Sequence, residues 1–270
     1  MEKRDYRNEP IAKVLAIANQ KRRVGKTITT MNLGIGLEKS GRKVLLVDAD
    51  PQASLTISMG FRNPDELRSN LGTLMQSVMS GDSRTQDHGI IHHSEGVALI
   101  PANIGLSGQE LRLFGANNRE HVLRKCLASY RDSYDYILID CGPSLGMMTI
   151  NALAAADSVI IPTQPNYLTV KGMDLLLRSI VKVRKHTNPA LEIDGILLTM
   201  ADRRTNNAKT IADSLQAAVG APIHIFDTRI PYSVRAAEAA QEGQSIYAYD
   251  KRGNVATAYK ALSEEVIALG

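Results

Sequence analysis

The sequence predicts an α/β protein with a doubly wound, mostly parallel sheet and helices on both faces. Three observations point there. Short β-rich apolar runs alternate with helical stretches along the chain, as in a parallel sheet covered on both sides. A length of 270 residues with 44% hydrophobic composition is ample for one large core. The first apolar run leads into a loop ending Gly25-Lys26-Thr27, and a helix follows.

Taken in order, the predicted strands are Val14–Ala18, Val44–Val47, Val97–Ile100, Tyr136–Ile139, Ser158–Ile161, Ile196–Thr199 and a short run at His224–Phe226. Helices are predicted at Lys26–Ser40, Arg119–Ser129, Leu168–Lys185, Asn207–Ala218 and Ala256–Ala268. The span Arg62–Ser94 is the least regular; Gly81, Asp82, Gly89 and its histidines suggest loops between short helices. There is no internal repeat, low-complexity segment or dividing linker. Residues 1–10 therefore read as an N-terminal tail and 11–270 as a single domain.

A net charge of +4, from 32 Lys+Arg against 28 Asp+Glu, is mildly basic, so affinity for DNA must come from local patches. Cys126 and Cys141 have no paired spacing and read as reduced thiols. The opening MEKRDYRNEP is charged and lacks the apolar core of a secretory signal. No apolar run approaches the roughly 20 residues of a membrane span. The stretch Ala261–Leu269 carries Glu264 and Glu265 without Lys or Arg, unlike a basic amphipathic anchor. These features predict a cytoplasmic protein with no membrane partner.

The loop Asn19-Gln20-Lys21-Arg22-Arg23-Val24-Gly25-Lys26-Thr27 lies between a strand and a helix, where a phosphate cradle belongs. The helix N-terminus offers N–H groups and partial positive charge. Lys26 is placed to bridge β- and γ-phosphates, and the Thr27 hydroxyl to hold Mg²⁺. Gln20 stands where the usual Walker glycine would be. Farther on, Val44–Val47 ends in Asp48-Ala49-Asp50-Pro51-Gln52, and Tyr136–Ile139 ends in Asp140-Cys141-Gly142-Pro143-Ser144. Alone, Asp48 and Asp50 could simply end a strand and start a turn. In this order with Lys26 and Asp140 they point to a nucleotide site.

These motifs resemble ParA, MinD and related deviant Walker ATPases of the P-loop NTPase fold, whose loop reads Lys-Gly-Gly-Val-Gly-Lys-Thr. The similarity runs from about Ile11 onward. It implies ATP and Mg²⁺ as cofactors and a homodimer in the ATP state that sandwiches two nucleotides. Lys21 matches the signature lysine that reaches into the partner's site. By the same resemblance Lys21, Arg22, Arg23, Val24, Gly25, Lys26, Thr27 and Pro231 bind nucleotide; Asp50 orients the attacking water, Asp48 assists the Mg²⁺ shell and Asp140 holds Mg²⁺ through water. Lys21, Lys26 and Asp50 form the implied catalytic set. Asn151-Ala152-Leu153 and Gln164-Pro165-Asn166-Tyr167-Leu168 resemble interface and switch segments. Gly142-Pro143 replaces two prolines, which implies a looser switch.

Arg22 and Arg23 depart from the family's two glycines. Glycine serves such loops because it tolerates φ > 0 and lets backbone approach phosphate; another residue there costs about 1 kcal/mol or more. A large side chain at position 22 is expected to project toward the γ-phosphate and the partner subunit, hindering the dimer and hydrolysis. Two guanidinium groups could instead pair with phosphate. For hydrolysis the steric effect is weighed above the electrostatic one, because in-line attack needs tight geometry; for binding the sign is open.

The resemblance further implies non-specific DNA binding and a ParB-like, DNA-bound partner that stimulates hydrolysis, hence a nucleoid-associated role in plasmid, chromosome or mobile-element partition. Arg204 and Arg235 match its DNA-touching arginines. Lys182, Arg184 and Lys185 read more simply as a solvated helix face. A non-catalytic DNA- or partner-binding member is the alternative class, followed by a MinD-like positioning ATPase, against which the missing anchor counts. His88, His92 and His93 lack further ligands at metal spacing. An iron–sulfur cluster at Cys141 would need a second cysteine in a matching loop, whereas Cys126 falls in a predicted helix. Met147 and Met148 read as core packing. With so short a segment before the first strand, operator recognition by a helix-turn-helix domain is not expected.

Overall fold

The computed structural model describes residues 11–81, 89–165, 167–201 and 223–270. Its strands are β1 (Lys13–Ile17), β2 (Val44–Ala49), β3 (Ile91–His92), β4 (Ala98–Ile100), β5 (Tyr136–Cys141), β6 (Ser158–Thr163), β7 (Glu192–Ala201) and β8 (Ile225–Pro231). They form one sheet in the order β3-β4-β2-β5-β1-β6-β7-β8, parallel throughout except for the antiparallel β3–β4 edge. The helices among the described residues are α1 (Lys26–Lys39), α2 (Ser54–Ser58), α3 (Leu71–Ser80), α4 (Gly105–Leu113), α5 (Val122–Ala128), α6 (Met147–Ala155), α7 (Tyr167–His186), α8 (Val234–Gln241), α9 (Ile246–Tyr249) and α10 (Asn254–Ala268).

Each predicted strand falls on an observed one, and the doubly wound, mostly parallel sheet is as expected. Several elements differ from the sequence reading. The helix predicted at Arg119–Ser129 starts as a 3₁₀ turn, Arg119–His121, before α5. The irregular span does hold a short helix, α3, as expected, and it is started by a reciprocal cap: Asn70 Oδ1 accepts the Thr73 N–H at 3.1 Å, and Thr73 Oγ1 accepts the Asn70 N–H at 3.0 Å. Strand β3, at two residues, is too short to show any pattern. The predicted tail 1–10, helix Asn207–Ala218, His88, Asn166 and Arg204 lie outside the described residues.

Side chains alternate across the sheet, as the two-residue repeat of a strand requires. Leu15 and Ile17 face a core shared with α1, α2 and α8–α10, while Val14, Ala16 and Ala18 face one shared with α3–α7. Helix α1 is pressed between sheet and α10: a side chain at Gly34 would run into Leu46, and one at Gly36 into Tyr247 and Ser263. That packing anchors the loop at the start of α1. Met147 and Met148 are buried, as expected. Among the described residues no helix is long and apolar enough to cross a membrane.

Candidate nucleotide site

The site forms at the C-terminal ends of the central strands, where open α/β sheets bind ligands. Strand β1 lies between β5 and β6, and the loop Asn19–Gly25 leaves its end. Asp48 on β2 and Asp140 on β5 are register partners in the sheet.

The loop is stitched to its neighbours. Asn19 is buried; its Nδ2 donates to the Pro162 carbonyl at 2.8 Å, and its Oδ1 accepts the Lys21 N–H at 2.9 Å. The Thr199 hydroxyl bridges the carbonyls of Val24 and Thr163 at 2.8 and 3.2 Å. Gln164 Nε2 donates to the Arg23 carbonyl at 3.1 Å. Gly25 turns the chain into α1 at φ 83°, and no side chain caps that helix. Its first-turn amides therefore offer donors and partial positive charge to an anion.

Lys26 is buried, and its Nζ donates to the Lys21 carbonyl at 3.1 Å. Burial pulls its pKa below the usual lysine value, with the Asp140 and Asp50 carboxylates opposing. Among the described residues it has no salt bridge, so a buried ammonium stands ready for an anionic partner. Thr27 Oγ1 donates to Asp140 Oδ2 at 2.7 Å. Burial and then repulsion from Asp48 hold the Asp140 carboxyl above the ordinary range.

The two aspartates after β2 have different tasks. Asp48 is fully buried: its Oδ2 accepts the Thr56 N–H and O–H at 2.8 and 2.7 Å, and its Oδ1 accepts the Asp50 N–H at 3.2 Å. Burial raises its pKa. Asp48 thus ties the turn to α2. Asp50 instead lines an open cavity of about 520 Å³, with Arg22, Arg23, Lys26, Thr27 and Cys141 also on its walls.

This donor set fits a nucleotide with a divalent cation. The Thr27 hydroxyl and Asp140 carboxylate are oxygen donors suited to a hard ion. Among the described residues no group of three or more His, Cys, Asp or Glu gathers, so Mg²⁺ here would take most of its ligands from phosphate and water.

Arg22 and Arg23 are both exposed. Of the two, only Arg23 has positive φ, at 59°, so the strain expected at two positions falls on one. Arg22 lies close enough to Lys26 to oppose its charge. At Gly142 a Cβ would come within 3.3 Å of the Asp50 carboxyl carbon, so glycine leaves room for that side chain. A second, mainly apolar cavity of about 330 Å³ adjoins Gly25 and Ile28, with Met200, Ile230, Pro231 and Val234 on its walls. Of these, Gly25 and Pro231 were expected; the others have no spacing that marks them. Asn151, read as an interface residue, is fully buried and braces its own chain: Oδ1 accepts Leu123 N–H at 3.0 Å, and Nδ2 donates to Arg119 O at 2.8 Å. The sequence reading gave no such tasks to Thr56 or Thr199.

Residues 12–193 match the AAA domain family. The sporulation initiation inhibitor protein Soj of Bacillus subtilis is 40% identical over 260 residues, covering 96% of this chain and 100% of that protein. The chromosome partitioning protein ParA of Caulobacter vibrioides is 39% identical over 257 residues, 94% of each. The solved structure of cobyrinic acid a,c-diamide synthase from Mycobacterium smegmatis, with bound ATP analogue and magnesium, aligns with TM-score 0.78 and 35% identity over 95% of each chain. Sheet order and phosphate loop define a P-loop nucleoside triphosphatase fold. Within that class, the chain belongs to the ParA/Soj family of partition ATPases.

Proposed function

We propose that this chain is a ParA-like ATPase whose ATP-bound homodimer holds non-specific DNA and serves partition of a plasmid, chromosome or mobile element. One observation carries the reading: Lys26, Thr27 and Asp50 face one cavity, and Asp140 holds the Thr27 hydroxyl behind it. ATP with Mg²⁺ is the ligand of P-loop ATPases, and the metal, when bound, neutralises phosphate charge. Lys26 and the α1 amides bind the phosphates, with Arg22, Arg23, Val24 and Gly25 wrapping them. Thr27 and Asp140, joined by a hydrogen bond, are the residues that would hold Mg²⁺ when it is bound. Asp48 assists at one remove, by fixing the turn that carries Asp50. Asp50 orients the attacking water, and Lys21 reaches the partner subunit's site. Pro231 borders the apolar cavity beside Gly25, which takes the base.

The DNA surface is carried by Arg204 and Arg235. Arg235 is exposed on α8, and β7 ends at Ala201, the register partner of Pro231. A ParB-like protein is the activating partner, and the working location is the cytoplasmic nucleoid. The chain from 11 to 270 acts as one unit. A second reading, a non-catalytic DNA- or partner-binding member, is favoured by the two arginines on the cavity wall. Phosphate release with DNA present, measured beside the Arg22→Gly, Arg23→Gly protein, separates them. Release from both supports the ATPase; release from the glycine protein alone supports the non-catalytic reading; release from neither overturns the assignment of the site.

A further inference from the structure

Two residues bordering the phosphate cavity, Arg23 and Met200, are non-glycine residues with left-handed backbone, at φ 59° and 52°. They lie far apart in sequence, yet one side chain joins them. Gln164 Nε2 donates to the Arg23 carbonyl at 3.1 Å and to Met200 Sδ at 3.0 Å. Gln164 directly follows β6, and Met200 lies near the end of β7. Met200 also lines the apolar cavity, so the amide spans from the loop to the wall between the two cavities.

We propose that Gln164 is a positioning residue of the nucleotide site, a latch that keeps Arg23 left-handed and so holds the phosphate loop open in its binding shape. The inference rests on the nucleotide reading above. A left-handed L-residue costs about 1–2 kcal/mol and persists only where its surroundings over-determine it. The next residue is fixed independently, because Thr199 holds the Val24 carbonyl. At Arg23 the fixed point is the Gln164 amide, which must turn its NH₂ toward the carbonyl because its oxygen would repel it. Without the latch, Arg23 relaxes to a right-handed or extended backbone, and the loop that precedes Gly25 loses its binding shape. Glycine at 23 populates the left-handed region unaided, so a loop with glycine there needs the latch less.

The test uses the full chain and four proteins: the parent, Gln164→Met, Arg23→Gly and the double variant. Methionine keeps length and neutrality and removes the carboxamide, donor and acceptor together. Calorimetry measures affinity for Mg-ATP and for inorganic tripolyphosphate, and thermal melting checks the fold. Gln164→Met is expected to weaken both ligands about fivefold in the Arg23 protein and less than twofold in the Arg23→Gly protein, with melting temperature nearly unchanged. A purely structural role would lower the melting temperature and act alike in both backgrounds, which overturns the proposal. So does unchanged affinity in Gln164→Met while the parent binds both ligands. If the parent binds neither, the nucleotide reading falls and takes the latch with it. If Gln164→Met does not fold, Gln164→Asn, too short to reach both partners, must show the same dependence on residue 23.

Discussion

The two halves of the phosphate loop are built on opposite principles. From Val24 to Thr27 the chain is part of the core: Val24 and Lys26 are buried, the Val24 carbonyl is held by Thr199, and the Thr27 hydroxyl by Asp140. From Arg22 to Arg23 it is surface: both side chains are exposed, and the backbone is strained at one of them. The difference teaches where such a site can change. The half tied to Thr199 and Asp140 cannot move without disturbing the sheet ends. The half that faces the cavity mouth carries arginine in place of the family's glycine while the fold persists, so under the proposed function binding and turnover are expected to be separable.

That separation can be broken or sharpened by experiment. The largest effect is expected from Asp50→Ala in the Arg22→Gly, Arg23→Gly background. Phosphate release should fall about a hundredfold or more, since positioned proton-transfer and water-orienting groups contribute that much, while Mg-ATP affinity stays within about twofold. Persistent release would show that the carboxylate on the cavity wall is not the one that acts.

Lys26→Ala tests the buried half. It removes a charge-assisted contact to phosphate and should weaken Mg-ATP binding by about thirtyfold or more, read by calorimetry. Retained affinity would move the grip elsewhere. The open half is probed by Arg22→Gly, Arg23→Gly, which is expected to raise phosphate release by about tenfold, because clearing the cavity mouth restores in-line geometry. Equal rates with and without DNA would make the arginines neutral.

The smallest effects concern stability. Thr199→Val keeps shape but removes the hydroxyl that donates to Val24 and Thr163, and should cost about 1–2 kcal/mol in urea unfolding. Arg22→Ala, on the exposed side, should change stability by less than about 0.5 kcal/mol. Similar losses for both would erase the distinction between the halves.

Much of the fold was readable because strands covered on both faces are apolar without interruption, as in Val44-Leu45-Leu46-Val47. Helix α6 escaped for a related reason. All but one of its residues, Ile150, are buried, so it has little polar face to give a helical period. Helix α3 falls in the span read as short helices between loops, but its start was not legible because its cap pairs Asn70 with Thr73, not with the Glu or Gln that marks such a start. In the site, Lys26, Thr27, Asp48, Asp50 and Asp140 were found by their order along the chain. The separate roles of the two aspartates after β2 came from the resemblance alone; that Asp48 is fully tied up by Thr56 and the Asp50 amide was not legible, because Asp48 and Asp50 differ only in what surrounds them.

The sequence by itself determined the parallel sheet, the loop at the end of its first strand and the polar residue types gathered at that loop, because these depend on local pattern and chain order. The tertiary structure alone decided which arginine is strained, how Asp48 is held, and that Gln164 and Thr199 hold the loop. Those contacts join residues 141 and 175 positions apart. Such pairs share no spacing or periodicity, and only the packing of β6 and β7 beside β1 brings them within hydrogen-bonding distance.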